Sequence, residues 1–367
     1  MVGSVHALTI LDLIAGGRGR AELNGVQVFV DGAAPGDHAQ VRITKQHAHY
    51  WEGVVETVLT PSSERTVPQC PAFGRCGGCQ WQHLRYEAQV AWKQRILAEQ
   101  LRWIGKLRDP VVLPTIPAPS PWHYRSRIKL QIDDAGRIGF FRAGTYEAVE
   151  FEHCWIADER INTQLAANKA TLRASGRGRL VQSDADADGG FAQVNPAQNA
   201  QLQQLVVEGV RAHGGGRVLE LYCGNGNLTF FLAGITTAIV GIETHAASIR
   251  QAQQQAAARG HPHLDFRCTA AHRFLRHAAK QATRFDGILL DPPRRGAAEA
   301  IPGIIACAPR WIGYISCDPA TLARDLRALI AAGYHHESSQ PIDMFPQTFH
   351  IESVTWLRLG TQADHPA

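Results

Sequence analysis

Along the first sixty residues, apolar positions come in short runs at 8–14, 26–30, 40–44 and 53–59. Turn signals such as Gly16-Gly17 and Asp31-Gly32 separate them. Short, evenly spaced strands of this kind predict a small β-barrel. From His83 the apolar period becomes that of a helix. Leu84, Ala88, Trp92 and Ile96 step by four, Leu97, Leu101 and Ile104 continue the face, and Gly105 is a stop signal. Five prolines between Pro110 and Pro121 mark a connector. Residues 123–132 alternate basic and apolar side chains, which predicts a half-buried strand whose polar face (Arg125, Arg127, Lys129) meets phosphate or solvent. Residues 138–141 and 148–151 read as companion strands, and 184–190 as a polar turn.

Beyond residue 190 strand and helix patterns interleave. Apolar runs at 217–222, 238–242, 264–268, 285–290 and 311–315 alternate with helical stretches at 246–259, 271–280, 297–307 and 321–332. Two further strands, 334–344 and 351–359, close the chain. Alternation of this kind predicts an α/β fold, a doubly wound parallel sheet with a terminal β-hairpin. The expected organisation is a barrel over residues 1–60, a small β-rich domain over 61–82 and 110–190, a helix over 83–109 packing on the C-terminal domain, and that α/β domain over 191–367.

The 367 residues are 45% apolar and 19% charged, with a formal net charge of +4. This is the composition of an ordinary globular chain, and it permits an acidic partner without demanding one. No apolar run approaches the roughly 20 residues that cross a bilayer, and the N-terminus lacks the features of a signal peptide. The expectation is a cytoplasmic monomer without membrane contact. In that setting the eight cysteines are read as reduced, metal-binding or catalytic.

Three stretches carry chemistry. Cys70, Cys76 and Cys79 lie in a loop rich in glycine and proline, with Cys154 about 75 residues on. Four thiolates suit zinc or an iron–sulfur cluster, and the spacing leaves both open. After the first strand of the α/β domain comes Cys223-Gly224-Asn225-Gly226-Asn227, and the second ends at Glu243. A glycine turn followed by an acid about 20 residues on is a nucleotide-site arrangement, which NAD would also satisfy. The apolar run ending at Ser316 leads to Cys317, Asp318, Pro319 and a helical pattern. A cysteine at a helix N-terminus sits where thiolate is favoured, as a covalent nucleophile requires. Taken alone, Cys317 reads more readily as a buried cysteine ending a strand.

Longer stretches resemble known families. Residues 17–21 and 28–37 resemble the TRAM domain, a small OB-like barrel appended to RNA-modifying enzymes. Arg42, Lys45, His47, His49, Tyr50 and Trp51 then offer basic and aromatic groups for phosphates and bases. The loop Cys70-Pro71-x-Phe73-Gly74-x-Cys76-Gly77-Gly78-Cys79-x-Trp81-Gln82-His83-Leu84 resembles the 4Fe-4S loop of RNA 5-methyluridine methyltransferases. Cys154 falls where that family has its distant ligand, so the resemblance implies a 4Fe-4S cluster on Cys70, Cys76, Cys79 and Cys154. Residues 219–229 resemble the S-adenosylmethionine loop of the same family within the class I methyltransferase fold. The resemblance implies that Tyr222, Gly224, Asn227 and Glu243 bind that cofactor, while Thr269, Ala270 and Ala271 supply no acidic partner where the family has a polar one.

Asp291-Pro292-Pro293-Arg294 resembles the family's target-facing motif, and Asp291 is counted with the cofactor-side residues. Gln193, in Phe191-Ala192-Gln193-Val194-Asn195, resembles a glutamine touching cofactor and target. Residues 316–326 resemble the motif of the nucleophile, which implies Cys317 in that role. Asp318 stands where the family has asparagine, and an acid beside the thiol is expected to raise its pKa. Residues 343–354 resemble a second signature, which implies Glu352 as general base, with Gln347 standing for a usual histidine. The implied activity is methylation of uracil C5 in RNA through a covalent Cys–C6 adduct, on 23S rRNA by the combination of barrel and cluster loop, with tRNA the alternative substrate. Cytosine-5 methylation would need a second catalytic cysteine motif, which is missing. A non-catalytic RNA-binding relative rests only on Asp318, Gln347 and the alanines near 270.

Overall fold

The computed structural model describes residues 2–174 and 193–360. The polar turn expected at 184–190, with Phe191 and Ala192, lies outside the described residues. Six strands form the N-terminal sheet: β1 (Val5–Thr9), β2 (Asp12–Leu13), β3 (Gly19–Leu23), β4 (Val26–Asp31), β5 (His38–Gln46) and β6 (Tyr50–Thr60). Their order is β1-β5-β6-β4-β3-β2, with a parallel β4–β6 pair. Every second residue points inward, so Val28, Val30, Val41 and Ile43 form its core with Leu8, Ile10 and Ala21. The run expected at 8–14 is broken at Ile10, whose N–H turns to Asp37. Asp37 is buried and accepts from the Arg65 guanidinium and two backbone N–H groups. These bonds hold its carboxyl below the usual range despite burial. The basic and aromatic face is partly committed internally: Arg42 pairs with Glu56, and His47 stacks on Tyr50 and meets Glu52.

Helix α1 (Tyr86–Trp103) follows the period read from the sequence. Its lower half (Trp92, Ile96) joins Trp81 and Leu84, and Leu97 and Leu101 enter the core of the C-terminal domain. The buried Lys93 ammonium is paired with Asp343 and donates to the Phe345 carbonyl. Two charges out of water are tolerated only when mutually satisfied, so this pair locks α1 to the segment before residue 352. Between them, β7 (Gln131–Ile132), β8 (Ile138–Phe141) and β9 (Ala148–Glu150) make a small antiparallel sheet, followed by α2 (Glu159–Ala174).

The strand expected over 123–132 is mostly not one. Residues 123–126 spend their backbone donors on 155–156 and on Val194 instead of a ladder. Arg125 lays its guanidinium 6.0 Å over the Phe345 ring, and of the three basic side chains only Lys129 is exposed. The phosphate-facing stripe is therefore not assembled as the alternation suggested.

The C-terminal unit opens with α3 (Pro196–Ala212), which Asn195 caps and Pro196 begins. Then come β10 (Arg217–Leu221), α4 (Thr229–Leu232), β11 (Ala238–Glu243), α5 (Ala246–Ala258), β12 (Leu264–Cys268), α6 (Ala271–Lys280), β13 (Gly287–Leu290), α7 (Ile301–Cys307), β14 (Trp311–Ser316), α8 (Pro319–Ala331), β15 (Tyr334–Ile342) and β16 (Glu352–Leu359). The sheet order is β12-β11-β10-β13-β14-β16-β15, parallel except for β16. Helix α7 is shorter than residues 297–307, because Pro302 is tolerated only in a first turn. Both faces of the sheet are covered, which explains why its strands read as apolar runs without alternation. Among the described residues no helix is long and apolar enough to cross a membrane.

Candidate active site

The order reverses between β10 and β13, and ligands of open α/β sheets bind beyond the strand ends at such a point. There the structure has a cavity of about 720 Å³. The sequence-predicted residues Gln193, Tyr222, Gly224, Asn227, Glu243, Asp291, Cys317 and Glu352 all line it. On one side, β10 ends in Tyr222 and the glycine turn. Tyr222 and Gly224 have φ of 63° and 57°, a region that favours glycine. A Cβ at Gly224 would meet nothing within 4 Å, so the bare backbone there is open to a ligand. Glu243 closes β11, and its Oε1 accepts from the N–H groups of Thr244 (2.6 Å) and His245 (2.8 Å). This set fits S-adenosylmethionine: a glycine cradle for close approach and a fixed carboxylate for ribose hydroxyls.

Asn227 lines the cavity, but its amide is engaged elsewhere. Its Oδ1 accepts from Asn199 (3.1 Å) and Gln203 (3.0 Å), and its Nδ2 donates to Asn199 (3.0 Å). It ties the glycine turn to α3, so its side chain holds the loop in shape. Gln193 is placed by its neighbours: the Val194 carbonyl accepts from Ser126 N–H, and Asn195 donates to the Met344 carbonyl. Near β12, the cavity wall is Ala270, Ala271 and His272, with His272 turned to Glu299 at 3.3 Å.

On the other side, register brings the reacting groups together. Ser316 of β14 lies opposite Ser353 of antiparallel β16. Cys317 directly follows β14 and Glu352 opens β16, so they sit side by side at the end of these two strands. Asp291 follows β13 next door, with its N–H on the Leu221 carbonyl (3.3 Å). Burial pushes the Asp291 carboxyl up to about 7. Glu352 is pushed well above the usual range by burial first and by Asp291 second, with Arg294 pulling it down. The Cys317 thiol rises to about 11, again by burial first, then by Glu352, against Arg294.

Asp318 is absent from those causes. Its carboxylate caps α8, accepting from Ala320 N–H (3.1 Å) and Thr321 N–H (2.9 Å). This corrects two expectations. The free N–H groups at the helix start are used by the cap and not by the thiol, and the neighbouring acid is aimed away from the sulfur. Asparagine caps equally well. Asp318→Asn should therefore leave the pH dependence of Cys317 alkylation unchanged and shift stability by less than ~0.5 kcal/mol, whereas Asp318→Ala should cost about 1 kcal/mol in denaturant unfolding. An alkylation profile that moves in the asparagine variant would place the carboxylate at the thiol after all.

Gln347 takes a left-handed backbone (φ 67°) and faces away from the cavity. It exchanges two amide bonds with Gln89 (2.9 and 3.0 Å), while its carbonyl accepts from Gln80 and Trp81 N–H. It thus fixes the turn before Glu352 to α1 and to the cysteine loop. Three functional groups went unread. Glu220, buried behind the glycine turn, is held by the Thr229 hydroxyl at 2.5 Å and pushed up to about 8 by burial; an acid inside an apolar strand was the available signal. Arg294 reaches His350, whose ring burial keeps neutral. Asp325 accepts from Tyr314 hydroxyl (2.8 Å) and Ala297 N–H (2.7 Å), clamping the Asp291–Gly296 turn onto α8.

The four predicted metal-ligand cysteines also converge. Cys70, Cys76, Cys79 and Cys154 line one small pocket walled by Phe73, Phe140, Phe151 and Ile156. Gly78 N–H points at Cys76 Sγ at 3.4 Å. Four soft donors in an apolar shell, with a backbone N–H on one sulfur, fit a cluster held by thiolates.

Sequence and fold comparisons agree with this layout. The tRNA (Uracil-5-)-methyltransferase family profile matches residues 178–359, and the TRAM domain profile residues 1–55. A 23S rRNA (uracil(1939)-C(5))-methyltransferase RlmD of Thiobacillus denitrificans is 32% identical, covering 94% of this chain and 98% of its own length. The RlmD of Pseudomonas savastanoi pv. phaseolicola is 30% identical, over 98% and 95%. The crystal structure of Pyrococcus abyssi tRNA (uracil-54, C5)-methyltransferase, in complex with S-adenosyl-L-homocysteine, has a TM-score of 0.71 at 20% identity, covering 96% of this chain and 99% of that one.

Proposed function

This chain belongs to the RNA uracil-5-methyltransferase family, and from that premise we propose that it methylates C5 of a uracil in 23S ribosomal RNA. The observation carrying the proposal is the register that sets Cys317 beside Glu352, across one cavity from the glycine turn and Glu243. Gly224, Tyr222 and Glu243 would hold S-adenosylmethionine, which would supply an electrophilic methyl group and leave as the neutral thioether.

Uracil C5 is too weak a nucleophile by itself. Cys317 Sγ adds to C6, and the C5=C6 electrons move toward C4 and its oxygen, making C5 an enolate carbon. After C5 has gained its methyl group it still holds a proton. Glu352 removes that proton; the C–H electrons form C5=C6, and the C6–S bond breaks to return the thiolate. A base near neutrality suits this step, and burial beside Asp291 moves Glu352 that way. Asp291 is placed to hydrogen-bond the pyrimidine edge. The stacked target base must leave its stack to reach this cavity.

The cysteine pocket is assigned to a 4Fe-4S cluster on Cys70, Cys76, Cys79 and Cys154, whose contribution is to cross-link the loop around residue 77 to the segment at 154. The choice of 23S RNA rests on the RlmD relatives, matched over nearly the whole chain. Anaerobically purified protein should carry iron and sulfide in equal amounts. Incubated with labelled cofactor, it should label 23S transcripts and leave tRNA transcripts blank. Label in tRNA alone would overturn the substrate, and label in neither would leave an RNA-binding protein.

A further inference from the structure

One group of three metal-capable side chains has no role in the chemistry described so far, although His153 also lines the cysteine pocket. Among the described residues, His123, His153 and Glu159 bring one ligand atom each within 4.8 Å of one another. His123 Nδ1 lies 3.0 Å and His153 Nε2 3.6 Å from the same Glu159 Oε1. The two rings meet edge to face, with centroids 5.6 Å apart, as two imidazoles do when both aim at one point. All three side chains are at least one-third exposed, so further positions around that point stay open to solvent.

The backbone shows what holds the group in place. His123 has φ of 53°, a conformation in which glycine is the default and a side chain is a burden. It is clamped there by its N–H on the Trp155 carbonyl (2.9 Å), and Nδ1 also lies 3.2 Å from the Ala157 carbonyl. Glu159 begins α2, and His153 sits on the segment that pairs with residues 123–125. Two chain segments, around 123 and over 153–159, therefore deliver two imidazoles and one carboxylate to one place.

We propose that His123, His153 and Glu159 form a solvent-open site for a divalent first-row transition ion, adjoining the cysteine pocket, whose wall His153 shares, but using none of its thiols. Two imidazole nitrogens and one carboxylate oxygen suit zinc, cobalt or nickel rather than magnesium or calcium. The ion takes the place between His123 Nδ1 and Glu159 Oε1, and water fills the remaining positions. Occupation would staple the start of α2 to residue 123, next to Cys154. None of this depends on the reaction assigned to the cavity.

The test uses untagged protein with its cysteine pocket loaded and Co²⁺ as the probe. The expected result is one ion per chain with weak visible d–d absorption, displaced by Zn²⁺, and no strong near-ultraviolet thiolate band. His153→Ala and Glu159→Gln should each weaken binding by more than the roughly 10–100-fold seen for outer partners of metal sites. His123→Gly separates ligation from folding: it removes a donor while suiting the backbone, so affinity should fall as far without a drop in melting temperature. An intense thiolate band, wild-type affinity in the three variants, or no stoichiometric uptake would each overturn the site.

Discussion

Glu352→Gln is expected to methylate once and then stall with the RNA attached. The amide keeps the volume of the side chain and its place opposite Ile342 and next to Ser353, but it cannot take the C5 proton. Without that step the C6–S bond has no electron pair to expel it. Turnover should drop about 10²–10⁴-fold, the usual worth of a positioned base, while a denaturant-resistant protein–RNA species accumulates. A slower band on a denaturing gel, carrying both protein and methyl label, is the readout. The direction of the pH effect also follows. Glu352 titrates above its ordinary range because burial and Asp291 oppose its charge, so release from the adduct in the wild type should speed up with pH in a range above that of an ordinary carboxylate. The variant should lose that rise. A Glu352→Gln enzyme that cycles normally would place the base elsewhere.

The fold was largely written in the pattern of apolar residues, and so was the site, for a definable reason. Strands β10 to β14 are buried on both faces and read as unbroken apolar runs, so Glu243 and Cys317 at their ends could be placed by counting, whereas the roles of Tyr222 and Asp291 came from resemblance. Glu352 was legible only by resemblance, because its position depends on the antiparallel insertion of β16 between β14 and β15. What periodicity could not show is which partner a polar group chooses. Asp318 turned to the helix, Asn227 to α3 and Gln347 to Gln89; each choice is decided by a segment distant in the chain. Residues 123–132 failed for a related reason. Alternation predicts a strand only when a partner strand is present, and here residues 155–158 and 194 supply single bonds instead of a ladder.

Cys317→Ala should abolish both methylation and the covalent RNA species, because Cys223, the other cysteine lining the cavity, is buried in the core of the sheet. Loss of an essential nucleophile costs on the order of 10⁶-fold in turnover. Binding of RNA and of the cofactor should stay close to wild type, since Gly224 and Glu243 do not touch the sulfur. The pH behaviour distinguishes an activated nucleophile from a buried strand-end thiol. The free enzyme's thiol is pushed up to about 11 by burial and by Glu352, with Arg294 the one opposing charge. Adduct formation in a single turnover should therefore rise with pH from neutrality toward that value, and Arg294→Met should push the rise further up. Stability runs the other way. A thiol whose folded pKa lies above its unfolded value of 9.0 contributes fully below about 9 and loses that contribution as pH climbs toward 11. Cys317→Ala carries no such loss. Its stability relative to wild type should be flat across the neutral range and improve only in the alkaline one, read by denaturant unfolding at a series of pH values. A variant that still forms the RNA adduct would remove Cys317 from the chemistry, and one whose relative stability changes below neutrality would mean that the sulfur is paired with a group other than Glu352.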